Sequence, residues 1–186
     1  MTPHVKNYVE QHQDLLDTDL NTFTDVFFKY GYTSEDCSAF FEVLTALNLF
    51  KDLDQKITET QKQLAEDAKK ITDKYNLPYI SATICVHDIP LTSKQDLIEA
   101  KSFGNISLRV VPLTNNIGKE LSIRCGQSTT SILRNNVEIA TIPSDSIFIK
   151  SLNSFYDYSS LSKPFFRKFE AQCKKIRKVL DALTTQ

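Results

Sequence analysis

The segment LFKDLDQKITETQKQLAEDAKKITDKYN, residues 49–76, is the part of the chain to which the other elements can best be related. Its large apolar residues recur every seven positions, and these are Phe50, Ile57, Leu64 and Ile71. On a helix, this spacing places them in one narrow stripe that a partner helix must cover. Leu53, Ala68 and Tyr75 widen the stripe, and Thr60, Asp67 and Lys74 interrupt it. We therefore expect a long, mostly solvated helix that is packed along a single seam.

A second helix with a matching stripe is predicted near the C-terminus, over residues 164–186. Its apolar residues step by three and four, and they are Phe166, Phe169, Cys173, Ile176, Leu180 and Leu183. The two patterns predict a coiled-coil-like stalk of two helices with a β unit inserted between them. A seam this narrow also suits a homodimer, in which the partner helix comes from a second copy.

Residues 1–48 predict a small helical module that is rich in phenylalanine. Thr2 followed by Pro3 is typical of a helix start, and the first helix is expected to continue through Leu16. A second helix is expected to end at Gly31. Thr33 or Ser34 then begins a third helix.

Residues 77–150 predict an antiparallel β unit of five or six short strands. Alternation of apolar and polar residues between Ile80 and Val86 is typical of a strand with one buried face. Asn135 and Asn136 separate two such runs and predict a hairpin. Residues 151–163 are expected to form an irregular connector, and Pro164 to open the last helix. The fold class is therefore predicted to be α+β.

The composition gives few constraints on function. The chain has 186 residues and a net charge of −1 at pH 7, which gives no argument for a nucleic-acid or membrane partner. No apolar run approaches the ~20 residues that span a bilayer, and no signal peptide is expected. The four cysteines lack C-x-x-C spacing and are expected to be buried, reduced thiols, although disulfides remain an alternative. We therefore expect a cytoplasmic protein without cofactors.

The charges are distributed unevenly along the sequence. Through Asp54 there are three Lys against ten Asp and Glu, a net charge of about −7. Residues 163–178 contain seven Lys and Arg against Glu170 alone, a net charge of about +6. These elements either face one another, or are separately solvated, or form partner-binding faces.

Cys85 and His87 form the only compact group of reactive side chains. Two residues apart on a strand, they are expected to share one face. Catalysis would need the imidazole to deprotonate the thiol, and zinc would need two more ligands, such as Cys125 and a carboxylate. Because the sequence shows neither, the favoured interpretation is structural. No other catalytic or phosphate-binding motif is present, so an enzyme is the third hypothesis for function.

Three short patterns carry a resemblance to known proteins. They are V-x-x-Y-V-E-x-H-x-D-L-L at 5–16, D-L-x-x-F at 19–23 and V-L-x-x-L at 43–47. Residues 5–49 thereby resemble an N-terminal helical segment of uncharacterised proteins from low-GC Gram-positive bacteria and their phages. The resemblance implies an origin, and with it a phage or mobile-element accessory protein that binds and inhibits a host factor.

The favoured function is a non-catalytic protein-interaction module. Aromatic and cationic side chains near the C-terminus are the candidate contacts, because aromatic residues are enriched at binding hot spots. These candidates are Phe155, Tyr156, Tyr158, Arg167, Lys168, Lys174, Lys175 and Lys178. The alternative is nucleic-acid binding through the basic C-terminal helix. No catalytic, metal-binding or cofactor-binding residue is predicted.

Overall fold

A computed structural model of the chain describes residues 2–29, 33–46, 52–100, 103–150 and 152–184. It mixes helix with sheet, so the α+β class is confirmed. The described helices are α1 (Pro3–Gln11), α2 (Gln13–Thr18), α3 (Leu20–Lys29), α4 (Ser34–Ala46), α5 (Leu53–Lys74), α6 (Lys94–Ala100) and α7 (Tyr158–Thr184). The described strands are β1 (Ile80–Val86), β2 (Ile89–Pro90), β3 (Ile106–Pro112), β4 (Leu121–Cys125), β5 (Thr129–Arg134), β6 (Val137–Pro143) and β7 (Ile147–Phe148). Short 3-10 helices span Phe103–Asn105 and Leu152–Phe155.

The chain divides into two compact units, which are described separately. Unit 1 comprises Met1–Thr60, Cys85–Ser107 and Phe148–Tyr158. Unit 2 comprises Gln61–Ile84, Leu108–Ile147 and Ser159–Gln186. The predictions for Phe50, Gly31 and Leu47 lie outside the described residues.

The first helix of unit 1 begins as predicted but is shorter. Thr2 Oγ1 accepts a hydrogen bond from the backbone N–H of Val5, and Pro3 occupies the first helical position. The helix then ends at Gln11, because His12 has non-helical dihedral angles (φ −120°, ψ 29°). The His12 ring lies with Nδ1 3.0 Å from the carbonyl oxygen of Tyr8 and competes for that helical acceptor. The expected single helix is therefore two, α1 and α2.

Aromatic side chains fill the core of unit 1, as the phenylalanine-rich pattern predicts. Those that are fully or almost fully buried are Tyr8, Phe23, Phe27, Phe28 and Phe40. The rings of Phe27 and Phe40 stack with centroids 3.8 Å apart, and the Tyr8 hydroxyl donates to the Phe23 carbonyl. Each such buried ring contributes on the order of 2–3 kcal/mol through apolar burial. This cluster fixes α1, α3 and α4 together.

The buried stripe of α5 differs from the seven-residue repeat. Its buried positions are Leu53, Ile57, Thr60, Leu64, Ala68 and Thr72. Thr60 was expected to interrupt the stripe, yet it is buried. Ile71 was expected in the stripe, yet it is only half-buried while Thr72 is covered. An α-helix has 3.6 residues per turn, so a straight helix drifts away from a seven-residue repeat and buries positions four apart.

The end of α5 contacts α7 within unit 2. Lys74 Nζ lies 2.8 Å from Glu170 Oε1, and the Tyr75 hydroxyl donates to the same oxygen over 2.9 Å. Arg177 donates to the carbonyl oxygen of Asn76 over 3.2 Å. These contacts bring the two predicted stalk helices together at one end of α5. A continuous coiled-coil seam and a partner helix from a second copy both stay predictions.

The last helix begins earlier than expected. Pro164 was predicted to open it, but α7 starts at Tyr158 and passes through this proline. Leu161 and Phe165 on either side of Pro164 are buried. Packing of these side chains offsets the loss of one helical hydrogen bond at the proline. The irregular connector is correspondingly shorter than residues 151–163.

The strands form two sheets, whereas a single antiparallel unit was expected. One sheet has the order β2-β1-β3-β7, and the other is a meander with the order β4-β5-β6. In the meander, strands β5 and β6 pair antiparallel and form a hairpin. Asn135 and Asn136, which connect them, have φ angles of 51° and 65°. Two successive positive φ angles define the type I′ turn that asparagine tolerates. The predicted hairpin is confirmed.

Candidate protein-binding surface

One side of α7 is buried and the opposite side is cationic. The buried large side chains are Leu161, Phe165, Phe169, Cys173, Ile176 and Leu180. We call five of the exposed cations on the other side the cationic face: Arg167, Lys168, Lys174, Lys175 and Lys178. Lys163, one turn before Arg167, is exposed as well. The buried residues recur at intervals of three and four and therefore share one side of the helix, while the cations fall on the remaining side. Phe166 and Leu183, expected in the seam, are half-buried.

The cationic face consists of two rows. At 100° per residue, Arg167, Lys174 and Lys178 fall within about 40° of one another, while Lys168 and Lys175 fall in a second row about 80–100° away. Ala171 lies between the rows and is exposed. A small residue at this position lets another surface approach the helix closely while cations flank it on both sides.

Neighbouring carboxylates neutralise little of this charge. Lys168 Nζ lies 3.7 Å from Asp145, and both side chains are more than half exposed, so this pair is weak. Hydrogen bonds from Lys74 and then Tyr75 lower the pKa of Glu170 and direct its carboxylate to the end of α5. Within the described residues, no ion pair links any other member of the cationic face to a carboxylate by a direct contact.

The charges of the two units are opposite in sign. Unit 2 contains 15 Lys and Arg against 8 Asp and Glu, a net charge of +7. Unit 1 contains 7 Lys and Arg against 15 Asp and Glu, a net charge of −8. The net charge of −1 for the chain therefore conceals two strongly charged parts.

The predicted aromatic contacts lie in unit 1. Phe155 is 3% exposed, so its ring belongs to the core and not to the surface. Tyr156 is 40% exposed; its hydroxyl donates to Asp52 Oδ1 over 3.0 Å, and Lys56 Nζ lies 5.9 Å from its ring centroid. Burial, together with the Asp52 carboxylate, raises the pKa of Tyr156 above its ordinary value. Tyr158 is half-buried as the first residue of α7.

The reactive pair Cys85 and His87 does not share a strand face. The strand β1 ends at Val86, and His87 occupies the turn to β2 with φ 57°. Cys85 is 1% exposed, whereas His87 is exposed. The expected alternation fails because a two-residue turn begins directly after Val86. Among the described residues, no group of three or more His, Cys, Asp or Glu side chains is arranged to hold a metal ion.

All four cysteines are free thiols, as expected, and three are buried. Cys125 is the half-buried exception. Burial raises the pKa of Cys125 to about 11 and the pKa of Cys173 to about 12. Because the thiolate is the nucleophile, neither side chain is activated at neutral pH.

A cleft between the start of α1 and α4 was not found by sequence reasoning. It has a volume of about 520 Å³ and is lined by Thr2, Pro3, Glu35, Ser38, Ala39 and Glu42. Ser38, Ala39 and the two glutamates follow the i, i+3, i+4, i+7 pattern of one helix face, which is a signal that the sequence contains. The opposite wall comes from residues more than thirty positions away.

The neighbouring Asp36 carboxylate ties α1 to α4. It is buried and accepts hydrogen bonds from Thr2 and from Thr33, and His4 Nδ1 lies 3.2 Å from it. Desolvation alone would raise the pKa of Asp36, but the hydrogen bonds from Thr2, Thr33 and His4 together lower it. An ionised Asp36 therefore holds the wall of the cleft in place.

None of the described helices is both long enough and apolar enough to cross a membrane. Comparison of the chain with models of protein families, with curated proteins and with solved structures finds no match.

Proposed function

We propose that this protein is a non-catalytic binding module whose cationic face on α7 docks against an acidic surface of a partner protein. The observation that carries the proposal is the division of α7 into a buried apolar side and the solvated cationic face. A helix whose apolar side is already packed has only its charged side left for a partner. Charge on such a surface steers association and selects partners of opposite sign.

The charge distribution favours a protein over a nucleic acid as the partner. Unit 1, with its net charge of −8, would repel a phosphate backbone that approaches the same molecule. Arg167 is the only arginine of the cationic face, although arginine is the residue best suited to bidentate phosphate contact. An acidic patch on a partner protein can be small, so that only the cationic face needs to contact it.

The expected affinity is moderate and sensitive to salt. Exposed ion pairs contribute ~0.2–1 kcal/mol each, so five such pairs supply at most a few kcal/mol. A dissociation constant of 1 μM corresponds to about 8 kcal/mol, so apolar contacts must supply the remainder. Exposed Ala171 and Pro164, which lie between and beside the cations, offer a small surface for that purpose.

The resemblance of residues 5–49 to segments from phages and their bacterial hosts makes a host protein the expected partner. In this form of the proposal, the cationic face occupies an acidic surface of the host protein and thereby inhibits that protein's activity.

The test is capture of partners from a lysate of the source organism after nuclease treatment. The variant Arg167→Gln, Lys174→Gln, Lys178→Gln removes one row of the cationic face. The control Lys62→Gln, Lys69→Gln, Lys70→Gln removes the same charge from exposed positions of α5. A stoichiometric protein that the control retains and the α7 variant loses would support the proposal.

The position of the contact is checked by zero-length cross-linking, which joins a lysine amine to a carboxylate that touches it. Cross-links from Lys174 or Lys175 to Asp or Glu of the captured protein are expected. Co-purification of RNA or DNA that depends on the α7 cations would replace the proposal with nucleic-acid binding. Equal capture by both variants would contradict it.

A further inference from the structure

The outer face of α4 presents two carboxylates with a small floor between them. Glu35 and Glu42 are exposed and seven residues apart, which places them ~10.5 Å apart along the helix axis. Ser38 and Ala39 lie between them on the same face. Thr2 and Pro3 line the same cleft of about 520 Å³. The cleft is therefore lined along α4 by two small residues with a carboxylate on either side of them.

The cationic face of α7 has the same spacing with the opposite charge. Arg167 and Lys174 are seven residues apart, as are Lys168 and Lys175, so each pair also spans ~10.5 Å along its helix. Ala171 lies midway between them and is exposed. Small residues at the centre of both surfaces permit two helices to approach at the ~8 Å distance of closely packed pairs.

We propose that a second copy of this chain binds there: the cationic face of one copy docks in the acidic cleft of another. Ala171 faces Ser38 and Ala39, and each glutamate meets one end of the two cation rows. The proposal rests on the proposed function in using the same face, and it names the protein's own unit 1 as one acidic surface that the face binds. The opposite net charges of the two units, −8 and +7, favour this encounter.

The contact joins different surfaces of the two copies, so each copy carries one cleft and one cationic face. Such heterologous contacts either close into a ring or extend into larger assemblies. In either case, self-association increases with protein concentration and weakens as salt screens the ion pairs. A partner protein that binds the cationic face would compete with the second copy.

Sedimentation velocity of the purified full chain, from ~5 to ~200 μM in 50 mM and 500 mM salt, measures this association. The first variant, Glu35→Lys with Glu42→Lys, reverses the cleft, and the second, Arg167→Glu with Lys174→Glu, reverses the face. Each alone should raise the dissociation constant at least tenfold. Mixed in equal amounts, they should associate again. The unaltered face of the cleft variant fits the unaltered cleft of the face variant, and the two reversed surfaces also fit one another.

The matched control is Asp14→Lys with Asp17→Lys, which changes the charge of unit 1 by the same amount at exposed positions of α2. This control should associate more strongly than the cleft variant. A wild-type protein that stays monomeric at 200 μM in low salt would overturn the inference, and so would a failure of the mixture to associate or an equal loss in the control. None of these results decides whether the cationic face captures another protein, which the capture and cross-linking experiment tests separately. Loss of capture with intact self-association would contradict only the external partner.

Discussion

Gln61 pairs with Ile84 as a residue of a neighbouring strand would. Its Oε1 accepts from the Ile84 backbone N–H over 2.9 Å, and its Nε2 donates to the Ile84 carbonyl oxygen over 2.8 Å. The Thr83 hydroxyl donates to the same Oε1 over 3.0 Å. One side chain of α5 thus satisfies both the N–H and the C=O of Ile84. Without it, these two backbone groups would need hydrogen bonds from a further strand.

Removal of this amide should destabilise the protein measurably. We expect Gln61→Ala to lower the free energy of unfolding by about 2 kcal/mol, because a part-buried donor and acceptor lose their partners. Urea titration provides the measurement. The control is Gln63→Ala, since Gln63 is exposed and its amide donates to Asp67 on the exposed side of the same helix. It should change stability by less than ~0.5 kcal/mol. Equal effects for the two would contradict the role assigned to Gln61.

A charge at Leu64 should be far more damaging than one at its neighbour. Leu64 is fully buried, so Leu64→Asp places an unpaired carboxylate in the core and should cost ~3–5 kcal/mol. Ala65→Asp, on the exposed side of the same turn, should cost less than ~1 kcal/mol. Thermal unfolding of both variants checks the assigned inner face of α5. A wild-type melting temperature for Leu64→Asp would refute it.

Asp25 should make stability depend on pH. Burial raises the pKa of this carboxyl to about 6, although a hydrogen bond from the backbone of Leu152 opposes the shift. Because the folded pKa exceeds the unfolded value of 3.8, the stabilisation from protonation is complete below pH ~4 and is lost as the pH rises through 6.

The variant Asp25→Asn keeps an acceptor for Leu152 and cannot ionise. It should therefore match the wild type near pH 4 and exceed its stability by about 1–2 kcal/mol at pH 8, after a discount for partial solvent screening. Denaturant titrations at both pH values provide the comparison. A difference that is the same at pH 4 and pH 8 would show that Asp25 does not titrate in this range.

Tyr156 is expected to contribute to the structure of unit 1. Tyr156→Phe removes the hydrogen bond to Asp52 and keeps the ring beside Lys56, so it should lower stability by about 0.5–1 kcal/mol. It should leave partner capture unchanged. That Tyr156 and Tyr158 form a binding hot spot stays a prediction. Lost capture by Tyr156→Ala, Tyr158→Ala at unchanged stability would support that alternative.

Local patterns predicted the parts of this fold that depend on neighbours in sequence. The type I′ turn at Asn135 and Asn136 follows from two residues that tolerate positive φ, and the cationic face follows from the helical period of α7. The same holds for the start of α1 at Thr2 and Pro3.

Contacts between distant residues were not predictable in this way. No local signal pairs Gln61 with Ile84, 23 positions later, or directs Thr60 and Thr72 into the core. The burial of Phe155 likewise depends on elements far from it in the sequence. For the candidate site, the cations were visible as a sequence pattern, but the cleft that Glu35 and Glu42 line required α1 and α4 to be brought together.

The separation of charge between the two units also governs how the protein binds to ion-exchange resins. Its isoelectric point of about 6.3 suggests a nearly neutral molecule at pH 7 that neither kind of ion-exchange resin would retain. A quaternary-amine resin meets the carboxylates of unit 1, however, and a sulfonate resin meets the lysines of unit 2. Retention follows local charge more closely than net charge, so the protein should bind to both resins at low ionic strength.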